Sequence, residues 1–362
     1  MKPCGKPVSA PFPGWARCAP AGDGLNGAAL SCAIEWSCPL RIHLVDAGGT
    51  ITSVVGAGGA LAGAGDADGR GAGEALRALL PAGAPPFSVE KVYAGLSEAM
   101  GFADFARVAE AIGRACRDPE VTGVVVAHGT DTMEEAAYYA DLLHDRSKPV
   151  VFTGAQRAAH APDFDGTANL GDALALAGFA QARDHGVLIA FGGLILPAAQ
   201  ATKVHLAQTQ GFAARDGNAG RIEGGAITLP RPGVRPGAGV GPLARGPLGE
   251  RVALITLSAG MSGKLIDAAV AAGYEGIVLA GLGSGNAPDA VVEAVGRALG
   301  AGVAVALGTR CLAGSVDGVY SSGHALVAAG ALPLRELPAP QARILLAAGL
   351  ENGITPLSAL FA

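Results

Sequence analysis

Charge is scarce in this 362-residue chain: 16% of the residues are Asp, Glu, Lys or Arg, and the acids outnumber the bases to give −5 at pH 7. With so few bases there is no basic surface to neutralise a phosphate backbone, which excludes nucleic acid as a ligand. Half of the residues are hydrophobic, yet no uninterrupted apolar run reaches the roughly 18 residues of a membrane-spanning helix, so no membrane partner is expected. Four of the six cysteines (Cys4, Cys18, Cys32, Cys38) crowd the first 38 residues at spacings that fit no zinc or redox motif. The seven histidines are scattered. The glycine-rich stretches 56–61 and 281–285 do not complete a dinucleotide fingerprint. Neither a metal nor a cofactor is expected.

The length suits two ordinary cores. Residues 1–40, rich in Pro, Gly, Ala and Cys and without sustained periodicity, are expected to be a disordered extension outside the fold. Lys2 and Lys6 could begin a signal peptide, but prolines and Trp15 to Arg17 interrupt any apolar segment behind them. A cytoplasmic protein is the expectation. From residue 41 apolar runs of strand length (41–46, 123–127, 149–153, 186–191) alternate with helical periods. One such period places Phe102, Phe105, Val108, Ala109, Ile112 and Cys116 on one face. This alternation predicts a two-domain α/β fold with mostly parallel sheets flanked by helices. The larger domain spans 41–230, and prolines and arginines alternating with glycines make 231–250 a linker. A smaller α/β domain follows over 251–362. Its strands fall at 251–256, 276–280 and 302–307, and its helices near 262–272 and 288–299, after 321 and after 339. Cys116 and Cys311 read as small buried hydrophobes in a helix and at a strand end.

Two segments put threonines where buried strands should end: Asp46-Ala47-Gly48-Gly49-Thr50-Ile51, and His128-Gly129-Thr130-Asp131-Thr132-Met133-Glu134-Glu135. Strand ends of open α/β sheets are where ligands collect, because the strand fixes the backbone while the loop frees the side chain. In the second segment Thr132 and Glu135 are spaced as a capping box, and Asp131 suits a helix start. Capping does not require the His128-Gly129-Thr130 that precedes it. In the first, two glycines can make a tight turn into another strand, or hold a hydroxyl nucleophile where a substrate reaches the backbone. Lys203 is the only formally charged residue between His185 and Ala214. An ammonium in apolar surroundings loses proton affinity and can serve as a base, although most lysines reach water.

These segments, with 148–157 (Lys148 to Arg157), 165–170 (Asp165 to Leu170) and Thr202-Lys203, resemble the bacterial-type L-asparaginase family in its own order. The stretches 272–276, 283–288 and 309–317 agree as well. The resemblance covers about residues 41–362. It implies a two-step hydrolysis of L-asparagine to aspartate and ammonia, with room for minor glutaminase activity. Thr50 would be the nucleophile, and Thr130, Asp131 and Lys203 a second polar triad in which the lysine supports proton transfer. Ser97 would bind the substrate α-carboxylate, and Glu98 and Asp131 the α-amine. It also implies a homodimer or homotetramer.

The chain departs from the family in the lid. Residues 51–75 contain no tyrosine, where the family carries one that helps to activate the nucleophile. The acid expected two positions after Ser97 is Ala99, and for the carboxylate lent by a neighbouring protomer the nearest counterpart is Asp317. A second reading follows: an asparaginase-like amino-acid-binding protein that keeps Ser97 and Asp131 but has lost turnover.

Overall fold

A computed structural model describes residues 31–32, 41–49, 51, 54–55, 61–62, 76–80, 84, 86–230, 247–318 and 320–361. Most of the 1–40 extension, most of the lid over 51–75 and most of the 231–250 linker lie outside the described residues, as does Thr50.

Five parallel strands form one side of the first sheet: β1 (Ile42–Ala47), β2 (Phe87–Lys91), β3 (Gly123–His128), β4 (Val150–Thr153) and β5 (Val187–Phe191). Their spatial order is β2-β1-β3-β4-β5. The β-branched run Val124–Val126 suits a strand covered on both sides. Val124 and Val126 join one buried cluster with helices α1 (Phe102–Arg117) and α2 (Met133–Leu143), while Val125 and Ala127 join another with α3 (Gly166–Ala177). Alternate side chains therefore serve opposite faces, each fully buried valine contributing about 1.5–3 kcal/mol.

Helix α1 buries Phe105, Val108, Ile112 and Cys116, the face that the periodicity predicts, with Phe102 and Ala109 half-buried at its edge. Gly101 starts it, its backbone N–H donating to Asp104 Oδ2 at 2.8 Å. Arg114 and Arg117 in the last turn complement the helix dipole.

Beyond β5 the sheet continues antiparallel through β6 (Leu194–Pro197), β9 (Gly220–Glu223) and β10 (Ala226–Thr228). Ser31–Cys32 pairs with β10 at the edge, so the sheet includes two residues that composition alone places outside the fold. Between β6 and β9 the chain leaves the sheet as a separate hairpin, β7 (Ala201–Lys203) and β8 (Phe212–Ala214).

The second sheet is parallel throughout: β11 (Val252–Thr256), β12 (Gly276–Gly281), β13 (Ala304–Thr309) and β14 (Leu332–Pro333). Helices α4 (Lys264–Ala271), α5 (Asp289–Gly300), α6 (Ser321–Ala328) and α7 (Ala339–Glu351) accompany it. Helix α7 packs on β11, β12 and β13 and also on α2. One buried cluster therefore runs from Phe152 through Tyr138 and Leu345 to Val252 and Val278. Cys116 is buried as expected. Cys311 is exposed, because β13 ends at Thr309 and the chain turns outward; there Thr309 Oγ1 accepts from the Cys311 amide at 3.0 Å. No described helix is long and apolar enough to cross a membrane.

Candidate active site

The chain order reverses at β1: β2 lies on one side of it and β3 on the other. A crevice opens at the carboxyl ends of strands at such a point, and Ala47 and His128 are in register there. The segments that follow them are the two threonine segments.

The first turns through Gly48 and Gly49, at φ of 76° and 89°. Gly48 N–H donates to Asp46 Oδ1 at 3.0 Å, and Gly49 N–H to the Gly95 carbonyl at 3.0 Å. A β-carbon on Gly49 would lie 2.3 Å from Gly129 Cα, so only glycine lets these two backbones meet. The residues immediately before Thr50 and Thr130 are thus in contact. Ile51, on the other side of Thr50, is buried.

In the second segment Thr130 is buried and Asp131 exposed. Lys203 reaches them from β7: its Nζ donates to Thr130 Oγ1 at 2.7 Å and pairs with Asp131 Oδ1 at 2.6 Å. The lysine is not the isolated ammonium that its apolar sequence context suggests; 73 and 72 positions upstream the chain supplies a hydroxyl and a carboxylate. Ser97 sits in a short turn, Ser97–Ala99, with its hydroxyl buried against Gly129. Its Oγ accepts from the Asp131 amide at 3.2 Å. The structure therefore brings Ser97, Thr130, Asp131 and Lys203 together. Glu98 is exposed on the same turn. Asp317 is elsewhere in the second domain, exposed and 3.9 Å from Arg335.

The capping box is not formed. Thr132 is the N-cap of α2, but its hydroxyl makes no capping bond and donates instead to the Ser97 carbonyl at 2.9 Å. The side chain that could cap the helix ties the serine turn to the threonine turn. His128 belongs to the core: it is fully buried, near Phe105 and Phe152, with Nδ1 2.8 Å from the Gly129 carbonyl. Burial pulls its pKa down to about 4, so the ring is neutral near pH 7.

Two further contacts are not among those expected from the sequence. Glu134, in the first turn of α2, accepts the backbone N–H of Lys203 through Oε2. Its burial raises the carboxyl pKa to about 7. Gln341, in α7, donates from Nε2 to the Ala201 carbonyl at 2.6 Å. Both hold the strand that carries the lysine. An acid at a helix start could have marked Glu134; nothing local marks Gln341.

Segments 148–157 and 165–170 brace one another beyond the end of β4. Asp165 accepts the amides of Gln156 and Arg157 at 2.9–3.1 Å. Asn169 donates to the Gly154 carbonyl and accepts from the Gly192 amide, both at 3.0 Å. No group of three or more His, Cys, Asp or Glu among the described residues could hold a metal ion.

A family model described as Asparaginase, N-terminal, matches residues 41–235, and one described as Glutaminase/Asparaginase C-terminal domain matches 251–358. A probable L-asparaginase of Deinococcus radiodurans is 36% identical over 242 residues, which is 64% of this chain and 71% of that protein. A component of the glutamyl-tRNA(Gln) amidotransferase of Methanopyrus kandleri is 32% identical over 251 residues, 66% of this chain but only 55% of that one. Among solved structures, a probable cytoplasmic L-asparaginase from Campylobacter jejuni superposes with a TM-score of 0.73 at 28% identity, covering 89% of this chain and 99% of its own.

Proposed function

The chain belongs to the asparaginase family, and from that premise we propose that it is an L-asparagine amidohydrolase that forms aspartate and ammonia through a covalent threonine ester. The observation that carries this reading is the junction of Lys203 Nζ with both Thr130 Oγ1 and Asp131 Oδ1, at 2.7 and 2.6 Å, at the mouth of the β1/β3 crevice.

Thr50 is the proposed nucleophile. Its oxygen attacks the carboxamide carbon, the C–N bond breaks, and the proton lost by the threonine is the one that the departing nitrogen needs to leave as ammonia. Water then attacks the ester and restores the Thr50 hydroxyl. Threonine is a weak nucleophile without a proton relay. Thr130 can carry the proton: its Oγ1 accepts from Lys203, which leaves its own O–H free to donate into the crevice. Ser97, Glu98 and Asp131 are assigned to the substrate's charged ends, the carboxylates attracting its ammonium. On this reading residues 41–230 form the catalytic unit, 251–362 the smaller domain and 231–250 the linker. The active form is a homodimer or homotetramer, and the compartment is the cytoplasm, as named for the Campylobacter neighbour.

The test is ammonia release by the purified protein with L-asparagine and L-glutamine in parallel, beside a Thr50→Ala variant. Release from asparagine that vanishes in the variant supports the reading. A preference for glutamine would shift it toward the glutaminases of the same family.

The second reading, an amino-acid-binding protein without turnover, is favoured by one feature: residues 51–75 contain no tyrosine. Such a protein would gain thermal stability with aspartate and release no ammonia.

A further inference from the structure

Lys203 is carried on a three-residue strand that lies outside the main sheet and, among the described residues, pairs only with β8. A two-stranded ribbon of this length is marginal by itself, yet its lysine must be held to within fractions of an ångström to serve proton transfer. The hairpin is tied to the second domain at two points, once at its backbone and once through the side chain of the residue that follows it. Gln341, with no exposed surface, donates to the carbonyl of fully buried Ala201 at 2.6 Å across 140 positions of sequence. On the other strand, Arg215, which follows β8, donates from Nη2 to the Cys311 carbonyl at 2.8 Å and from Nη1 to that of Gly314 at 3.4 Å.

The helix that carries Gln341 is well placed to act as a reference frame. Helix α7 packs on the second sheet and on α2, and Arg343, two positions on, donates to the Val252 carbonyl at 3.0 Å while lying over the Phe102 ring. Helix α2 begins next to Thr130 and Asp131. One rigid helix therefore touches both the element that presents the threonine and aspartate and the strand that presents the lysine.

The Gln341 amide meets the hairpin through its nitrogen alone, its Oε1 being buried without a hydrogen-bond partner among the described residues. We propose that Gln341 is a positioning residue: through the Ala201 carbonyl, the second domain sets the distance of Lys203 from Thr130 and Asp131, and Arg215 supports the same hairpin from its other strand. This inference rests on the amidohydrolase reading above.

The experiment compares wild-type protein with Gln341→Met, which keeps the volume and removes the donor. It measures kcat and KM for L-asparagine, and deuterium exchange over residues 201–214. Misplacement of the lysine is expected to lower kcat roughly 10- to 100-fold while KM stays within about twofold, because the substrate's charged ends are held elsewhere. Exchange should rise in the hairpin and not in β3, with a Tm loss of about 2–4 °C for one hydrogen bond. Unchanged kcat and unchanged exchange in the folded variant would overturn the proposal, and so would a fall in kcat matched by exchange throughout the protein. If Gln341→Met does not fold, Arg215→Met carries the same test with the same two outcomes. Should the wild-type protein release no ammonia, the amidohydrolase reading fails by itself, and exchange in the hairpin alone then decides the tether.

Discussion

Thr130 and Asp131 leave a strand that is buried on both faces and hydrogen-bonded to neighbours on either side, whereas Lys203 sits on a short hairpin strand with a single strand partner among the described residues. The threonine half is secured by its own neighbourhood. The Gly48-Gly49 turn packs on Gly129, the Ser97 hydroxyl accepts the Asp131 amide, and Thr132 returns a bond to the Ser97 carbonyl. The lysine half is secured from a distance, by Glu134 on α2 and Gln341 on α7. A site can thus be rigid at both walls for different reasons: one wall inherits the order of a sheet, and the other is ordered by single buried hydrogen bonds.

Removing the group that joins the two walls should have the largest effect. Lys203→Met is expected to lower ammonia release by about 100- to 10,000-fold, the usual loss of a proton-transfer group. It should leave Tm and aspartate-induced stabilisation nearly unchanged, because the pair that it breaks lies at the mouth, with the Asp131 side chain 56% exposed. Comparable turnover would reduce the lysine to a structural contact and dissolve the contrast between the walls.

Next in size is damage to the self-secured wall. Gly49→Ala combines a positive φ with a β-carbon placed 2.3 Å from Gly129 Cα. Backbone strain and overpacking together should destabilise by about 2–6 kcal/mol. The control is Gly260→Ala, also at positive φ (76°) but with nothing within 4 Å of the new carbon, where about 1 kcal/mol from backbone strain alone is expected. Equal losses in urea unfolding would show that the two glycines matter only for φ and that the backbone contact contributes nothing.

The smallest effect is expected at the link between the walls, and it depends on pH. Burial raises the Glu134 carboxyl from 4.5 to about 7. The folded chain therefore holds this proton more tightly than the unfolded one, so its stabilising contribution is complete below pH 4.5 and is lost as pH rises through 7. Asp172, raised by burial to about 6, acts in the same direction and is present in both proteins. Glu134→Gln keeps an acceptor for the Lys203 amide and abolishes the titration, so its Tm should gain on the wild type by a few degrees between about pH 5 and 8. Parallel Tm curves for the two proteins would mean that the Glu134 proton has no part in stability.

Much of the threonine wall is legible in the sequence. The apolar run 123–127, the glycines beside Thr50 and the Thr130-Asp131 pair are local patterns, and each has a local cause: strand periodicity, turn geometry and strand-end exposure. The helical face from Phe105 to Cys116 is legible for the same reason. The antiparallel arm is not, because strands of three or four residues carry too little periodicity to read. Spacing places Thr132 correctly at the N-cap but not its hydrogen bond, since it cannot tell whether the hydroxyl will accept from the helix or donate to a carbonyl brought near by the fold. Cys311 reads as buried and is not, because the side of the sheet end to which a loop turns is a tertiary matter.

The sequence by itself therefore determined the α/β class, most of the parallel strands and the candidate reacting groups, because hydrophobic period and residue chemistry are properties of short segments. Only the tertiary structure decided where those groups meet. Glu134 meets Lys203 across 69 positions of chain and Gln341 meets Ala201 across 140, and no local pattern encodes which strand ends and helix faces a folded core will bring within the reach of one hydrogen bond.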